Sequence, residues 1–156
     1  MTIKFEKVKT MYILNDAISF IISRTYSKMK NLFLKELKKY GITLEQWVLL
    51  AQLSEKEGIS PTDLSLVSLR DKPYTTRLID RLAENGLIFK EESKVDKRSL
   101  LIYLTQQGAE IKKEIIPLAD KINEWLVENM DEQEVKSLKV LLHRMHSNIQ
   151  SHSRDS

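Results

Sequence analysis

From Met11 to Tyr40 apolar residues recur at three- and four-residue intervals. Leu14, Ala17, Ile18, Ile21, Ile22, Met29, Leu32, Phe33 and Leu37 fall on one helical face, and Gly41 supplies a C-terminal stop. The spacing predicts one long helix. Some thirty residues at about 1.5 Å each span roughly 45 Å, longer than the core of a small monomer covers, so part of that face needs a partner chain.

Shorter elements follow. Thr43 with Gln46 is a capping-box pattern opening a second helix, with Trp47, Leu50 and Leu53 inward and an end near Gly58. Ser60-Pro61-Thr62-Asp63 combines a Ser N-cap, Pro at the first helical position and an acid at N3, and starts a short helix with Leu64 and Val67 inward. Asp71 caps a further helix from about Lys72 to Asn85, with Gly86 as its left-handed C′ residue. Leu78, Ile79 and Leu82 form its inner face, and Lys72, Tyr74, Thr76, Arg77, Asp80 and Arg81 are left outward.

The period then changes from helical to β. Leu87 to Lys90 and Leu100 to Leu104 are β-prone runs separated by the charged stretch Glu91 to Arg98, which reads as a hairpin with a long charged tip. Thr105 caps a long helix with Ile111, Ile115, Ala119, Ile122 and Leu126 in register, and Pro117 predicts a bend in it. Asp131 with Glu134 opens a last helix carrying Leu138, Leu141, Leu142, Met145 and Ile149, and the chain beyond Ser151 is expected to fray. The fold class is mainly α with a small β-hairpin: long helix, three short helices, hairpin, two helices.

Composition removes several classes of function. At 156 residues and 42% hydrophobic content the chain is expected to form one folded unit, with no repeat, low-complexity tract or linker. No apolar run approaches the roughly 20 residues that cross a bilayer, and the Met-Thr-Ile-Lys-Phe-Glu start lacks a signal-peptide core, so a cytoplasmic protein without membrane contact is expected. Without cysteine there is no disulfide, thiolate zinc site or thiol oxidation. His143, His146 and His152 all fall near the C-terminus, and the first two lack an obvious third or fourth metal ligand. No paired nucleophile and base or phosphate-cradling glycine loop is present, so neither an enzyme nor a cofactor is expected.

The net charge of +3 is uneven: +6 over residues 1–40, −1 over 41–109 and −2 over 110–156. Residues 70–98 carry eight basic and six acidic side chains. Phosphate neutralisation supplies most non-specific DNA affinity, so a DNA surface here must be a local stripe.

Two short helices joined by a tight turn, the second apolar inside and polar outside, suit a helix-turn-helix that lays one helix in the major groove. A hairpin with basic residues at its tip can then reach flanking phosphates or the minor groove. Thr75-Thr76-Arg77-Leu78-Ile79-Asp80-Arg81-Leu82, Glu84-Asn85-Gly86-Leu87-Ile88, Asp96-Lys97-Arg98 and Leu104-Thr105-Gln106-Gln107-Gly108 resemble, in order and spacing, the MarR family of winged helix-turn-helix regulators. The similarity covers nearly the whole chain.

That resemblance implies a transcription regulator of the repressor type, released by a small aromatic or anionic effector. It implies a homodimer in which residues 1–41 and 110–156 are dimerisation helices around a winged-helix lobe of residues 42–109. Each lobe would read half of a near-palindromic site in double-stranded DNA, with half-sites about 34 Å apart. DNA contacts are expected from Lys72, Pro73, Tyr74, Thr76, Arg77 and Arg81 on the recognition helix and from Lys94, Asp96, Lys97 and Arg98 on the wing.

Arg77 is expected to form two bonds to a guanine. Arg81 contacts phosphate or pairs with an acid, and Tyr74 touches DNA or covers the helix turn. Arg98 would enter the minor groove, with Asp96 orienting it or tying the wing to the body, while Lys94 and Lys97 add phosphate attraction. Thr75 is expected inward. Ile22, Tyr26 and Trp47 would lie near an effector cleft or belong to the core. The alternative function is a winged-helix module for another protein, which the −1 charge of the middle segment keeps open.

Overall fold

The structure, a computed structural model, describes residues 16–68 and 70–154. Their elements are α1 (Ile18–Leu37), a 3-10 turn (Lys38–Tyr40), α2 (Leu44–Gln52), α3 (Pro61–Val67), α4 (Lys72–Glu84), β1 (Ile88–Glu92), β2 (Leu100–Leu104), α5 (Gln106–Leu126) and α6 (Glu132–Arg154). Packing divides the chain into two compact units, with the boundary between Ile115 and Ile116 inside α5. No helix among the described residues is long and apolar enough to cross a membrane.

In the first unit α2, α3 and α4 pack on one another and α1 packs on α2. Edge-on contact of Phe33 with Trp47, ring centroids 6.0 Å apart, joins α1 to α2. Local chemistry starts each short helix. Thr43 and Gln46 form a reciprocal capping box, Ser60 Oγ accepts from the N–H of Asp63 at 3.1 Å, and Asp71 Oδ1 accepts from that of Tyr74 at 2.8 Å. Leu64, Leu78, Ile79 and Leu82 are buried as their spacing predicts. Gly86 takes φ 70° past the end of α4, a backbone that L side chains resist, which lets Leu87 N–H turn back to the carbonyl of Leu82 at 3.0 Å.

Several boundaries differ from the sequence reading. Met11 and Leu14 lie outside the described residues, and the helix of α1 ends at Leu37, with the 3-10 turn carrying the chain to Gly41 at φ 67°. Helix α2 ends at Gln52 rather than near Gly58, because the following residues serve the sheet. Leu53 is extended and fully buried, Ser54 carbonyl accepts from Leu104 N–H at 2.9 Å, and Ile59 exchanges two hydrogen bonds with Ile102. The outer edge of β2 thereby finds partners that a two-stranded hairpin would leave unmet. Val67 is 42% exposed rather than inward, since α3 lasts only seven residues and the chain turns away at Ser68 with ψ 146°.

The hairpin pairs Ile88 with Leu104 and Glu92 with Leu100, so Glu91 and Glu92 belong to β1 and not to the tip. Thr105 caps α5 by accepting from Gly108 N–H at 3.0 Å, while its hydroxyl donates to the carbonyl of Gly86 at 2.6 Å. Helix α5 continues through Pro117; Ile115 and Ile122 are buried, whereas Leu126 is exposed.

The second unit holds the rest of α5 and α6, joined by a turn in which Asn129 has φ 66°. Asp131 and Glu134 cap α6 reciprocally at 2.8 and 2.9 Å. Helical structure persists to Arg154, beyond the fraying expected after Ser151. Leu138, Leu141, Leu142 and Ile149, at helical spacing, are exposed in the single chain.

Candidate nucleic-acid interface

Helix α4 owes its orientation to its first turn. Besides the Asp71 cap, the Thr75 hydroxyl donates to the carbonyl of Asp71 at 2.9 Å and shares a hydrogen bond with the Ser68 hydroxyl at 2.7 Å. Thr75 is buried, as expected for an inward residue. Lys72, Pro73, Thr76, Arg77 and Arg81 are exposed and Tyr74 is half-buried. Thr76 donates back to the carbonyl of Lys72 at 3.1 Å, so its hydroxyl has acceptor capacity and a methyl group left for a ligand.

Tyr74 is flanked by cations. The guanidinium carbons of Arg70 and Arg77 lie 5.5 and 5.4 Å from its ring centroid. Arg70 also donates through Nη2 to Glu45 Oε1 of α2 at 3.1 Å. Burial alone would raise the Glu45 carboxyl. Its own backbone N–H, the Arg70 hydrogen bond and the charges of Lys30 and Arg70 outweigh that and hold it below the ordinary carboxylate value. The hydrogen bond and charge of Glu45 in turn raise the Arg70 guanidinium. Nothing local marked Arg70 as more than a basic residue ahead of a helix cap, since its partner is 25 residues away.

Residues 93–99 form a hydrogen-bonded turn. Ser93 N–H donates to the carbonyl of Ser99 at 2.8 Å, and Ser93 Oγ accepts from the N–H groups of Val95 and Asp96 at 3.3 Å. Asp96 accepts from the backbone N–H of Arg98 at 3.0 Å and from the Ser99 hydroxyl at 3.3 Å. Its carboxylate thus organises the turn from which Arg98 projects. Lys94, Lys97 and Arg98 are exposed, and Val95, 98% exposed, tips the wing.

Ion pairing sorts the eight basic residues of this region. Arg70 is taken by Glu45, and Lys90 by Asp80 at 2.5 Å, a bridge from β1 to the outer face of α4. Among the described residues Lys72, Arg77, Arg81, Lys94, Lys97 and Arg98 make no ion pair. The cations left over are the ones that helical and hairpin periodicity place outward, and Arg81 has no acid partner among the described residues. A surface carrying such cations on a helix face and on a hairpin tip can neutralise phosphates without first breaking a salt bridge.

Of the residues considered for an effector, Trp47 is buried against Phe33, whereas Ile22 and Tyr26 are exposed on α1. None of the three lines the cleft of about 370 Å³ beneath the wing, which is bounded by Glu55, Lys56, Phe89 and Tyr103 among others.

Comparison with known proteins gives the same outline. Residues 42–100 match the model of the MarR family. The chain is 28% identical over 128 residues to the HTH-type transcriptional regulator BilQ of Clostridioides difficile, covering 82% of this chain and 86% of that one. It is 28% identical over 119 residues to an organic hydroperoxide resistance transcriptional regulator of Bacillus subtilis, covering 76% and 78%. A solved structure of mutant MarR from Escherichia coli complexed with operator DNA superposes with a TM-score of 0.72 at 27% identity, covering 86% of this chain and 99% of that chain. Residues 42–100, with the capped α4 and the Asp96-Lys97-Arg98 wing, are the part of the chain that is similar to the MarR family.

Proposed function

We propose that this protein is a homodimeric, sequence-specific reader of double-stranded DNA that regulates transcription in the cytoplasm, as a repressor released by a small aromatic or anionic effector. The observation that carries the reading is the set of six cations on α4 and the wing that make no ion pair among the described residues, with Arg70 and Lys90 neutralised beside them. The structure of mutant MarR from Escherichia coli complexed with operator DNA, which matches 86% of this chain, supports it.

Arg77 offers its guanidinium to the O6 and N7 of a guanine in the major groove. Tyr74, engaged by two guanidinia, serves as the platform for Arg77, and Lys72 and Arg81 face phosphates at either end of the same surface. Pro73 and Thr76 supply apolar contact to base edges. Lys94 and Lys97 attract phosphates, and Arg98, on the turn that Asp96 organises, enters a narrow minor groove.

Dimerisation has its own support. Exposed Ile18, Ile21 and Ile22 on α1 and Leu138, Leu141, Leu142 and Ile149 on α6 are apolar faces at helical spacing that water would otherwise cover. A dimer with fixed spacing sets two recognition helices about one helical turn apart, roughly 34 Å.

Titrating salt against binding to random duplex is the direct test. A DNA reader loses affinity linearly in log salt. A flat response would favour the protein-partner alternative. Selecting bound fragments from the source genome then gives the operator.

A further inference from the structure

We infer that Arg70 is a positioning residue for DNA reading: held by Glu45 of α2, it fixes the Tyr74 ring against which Arg77 is aimed. This rests on the reading of α4 as the DNA-reading helix. Arg70 stands just before the Asp71 cap, outside the helix, and its guanidinium makes two engagements that no backbone geometry requires. One is the 3.1 Å bond to Glu45 Oε1, and the other is its station over the Tyr74 ring, 5.5 Å from the centroid.

The Glu45 side chain is only 13% exposed and that of Arg70 51%, so the carboxylate is set into the lobe and anchors a guanidinium that stays at its surface. Arg77 approaches the same ring at 5.4 Å and has no ion-pair partner among the described residues. Two guanidinia around one ring repel, and Glu45 offsets that repulsion on the Arg70 side alone. The consequence is asymmetry: Arg70 is tied down, and Arg77 keeps its full charge and donors for a base. Without Glu45 both cations compete for the Tyr74 face and Arg77 loses its fixed aim. A guanidinium must be well aligned to make two bonds to guanine, so the loss falls on discrimination more than on general affinity.

The test compares the full-length parent with Arg70→Ala, Glu45→Gln and the double variant, on operator from genomic selection and on random duplex of equal length. Each single variant is expected to lower the operator-to-random affinity ratio about fivefold, Arg70→Ala with the salt slope unchanged and Glu45→Gln with random-duplex affinity raised because it frees the Arg70 charge, and the double variant no worse than either single one. An equal loss on both duplexes with the salt slope reduced by about one would make Arg70 a phosphate contact and overturn the proposal. Thermal midpoints close to that of the parent confirm that the lobe is folded.

A second arm needs no DNA. In the free protein the NMR signals of the Tyr74 ring and of the amides of residues 72–77 are expected to move in both single variants, while those of the buried Leu78 and Leu82 methyls stay. Tyr74 signals indifferent to both substitutions would overturn the positioning role. A parent that fails to bind duplex in a salt-dependent way would instead overturn the proposed function, with the NMR arm still deciding whether Arg70 sets Tyr74.

Discussion

Asp96 Oδ1 accepts a hydrogen bond from the backbone N–H of Arg98 at 3.0 Å, so an acidic residue shapes the turn that presents a basic one. Judged by charge alone, Asp96→Ala should strengthen DNA binding, because it removes a negative charge from a phosphate-facing wing. Judged by geometry, it should weaken binding, because a capping interaction worth about 1 kcal/mol is lost and Arg98 is no longer held. We expect the geometric effect to dominate: operator affinity several-fold lower, with faster hydrogen exchange at the amides of Arg98 and Ser99. Tighter binding by the variant would show that charge outweighs the turn.

Arg77→Ala should cost about 1–3 kcal/mol of operator binding and relax preference at one base pair per half-site. Affinities measured on operators altered one base pair at a time give the answer. Uniform weakening on every duplex would reassign Arg77 to phosphate.

Lys94→Ala and Lys97→Ala should each lower the salt slope by about one without changing sequence preference. Arg98→Ala should weaken A·T-flanked operators more than G·C-flanked ones, because a narrow minor groove concentrates negative potential. An Arg98→Ala protein that bound operator as well as the parent would remove the wing from the interface.

Gly108 sits in the first turn of α5, where an added Cβ would lie 1.9 Å from the carbonyl oxygen of Leu87. That carbonyl also accepts from Thr105 N–H at 3.1 Å, so it cannot retreat without loosening the junction of hairpin and helix. Gly108→Ala should therefore destabilise the lobe by about 3 kcal/mol, lowering the thermal midpoint by on the order of 10 °C. A calorimetric scan checks it, and a midpoint within a degree or two of the parent would contradict the packing.

Glu45 titrates lower in the folded protein than in the unfolded chain, because its backbone N–H, Arg70 and Lys30 together outweigh burial. A depressed carboxyl contributes stability that is fully present above its unfolded value and is lost as pH falls through its folded value. Glu45→Gln should accordingly flatten the acid limb of the stability profile and leave its neutral-to-alkaline part parallel to that of the parent. Denaturant midpoints measured from neutral pH down into the carboxylate range follow this directly.

The starts of the helices were legible in the chain because a cap is a local bond. Thr43 with Gln46, Ser60 with Asp63, Asp71 with Tyr74 and Asp131 with Glu134 are each three residues apart, and the same short reach set the outward face of α4 and the span of β2. The ten residues proposed for DNA follow from that periodicity together with the family resemblance. Tertiary packing alone decided where α2 stops, because Ser54 and Ile59 are claimed by a strand some fifty residues downstream in the chain, and it exposed Val67.

Tertiary packing also decided which cations remain unpaired. Arg70 meets Glu45 and Lys90 meets Asp80 only once α2, α4 and β1 are packed, and no periodicity in a linear chain records which charges from different elements come within 4 Å of each other. Sequence order dictates short-range hydrogen bonds; charge pairing between elements depends on where those elements come to rest.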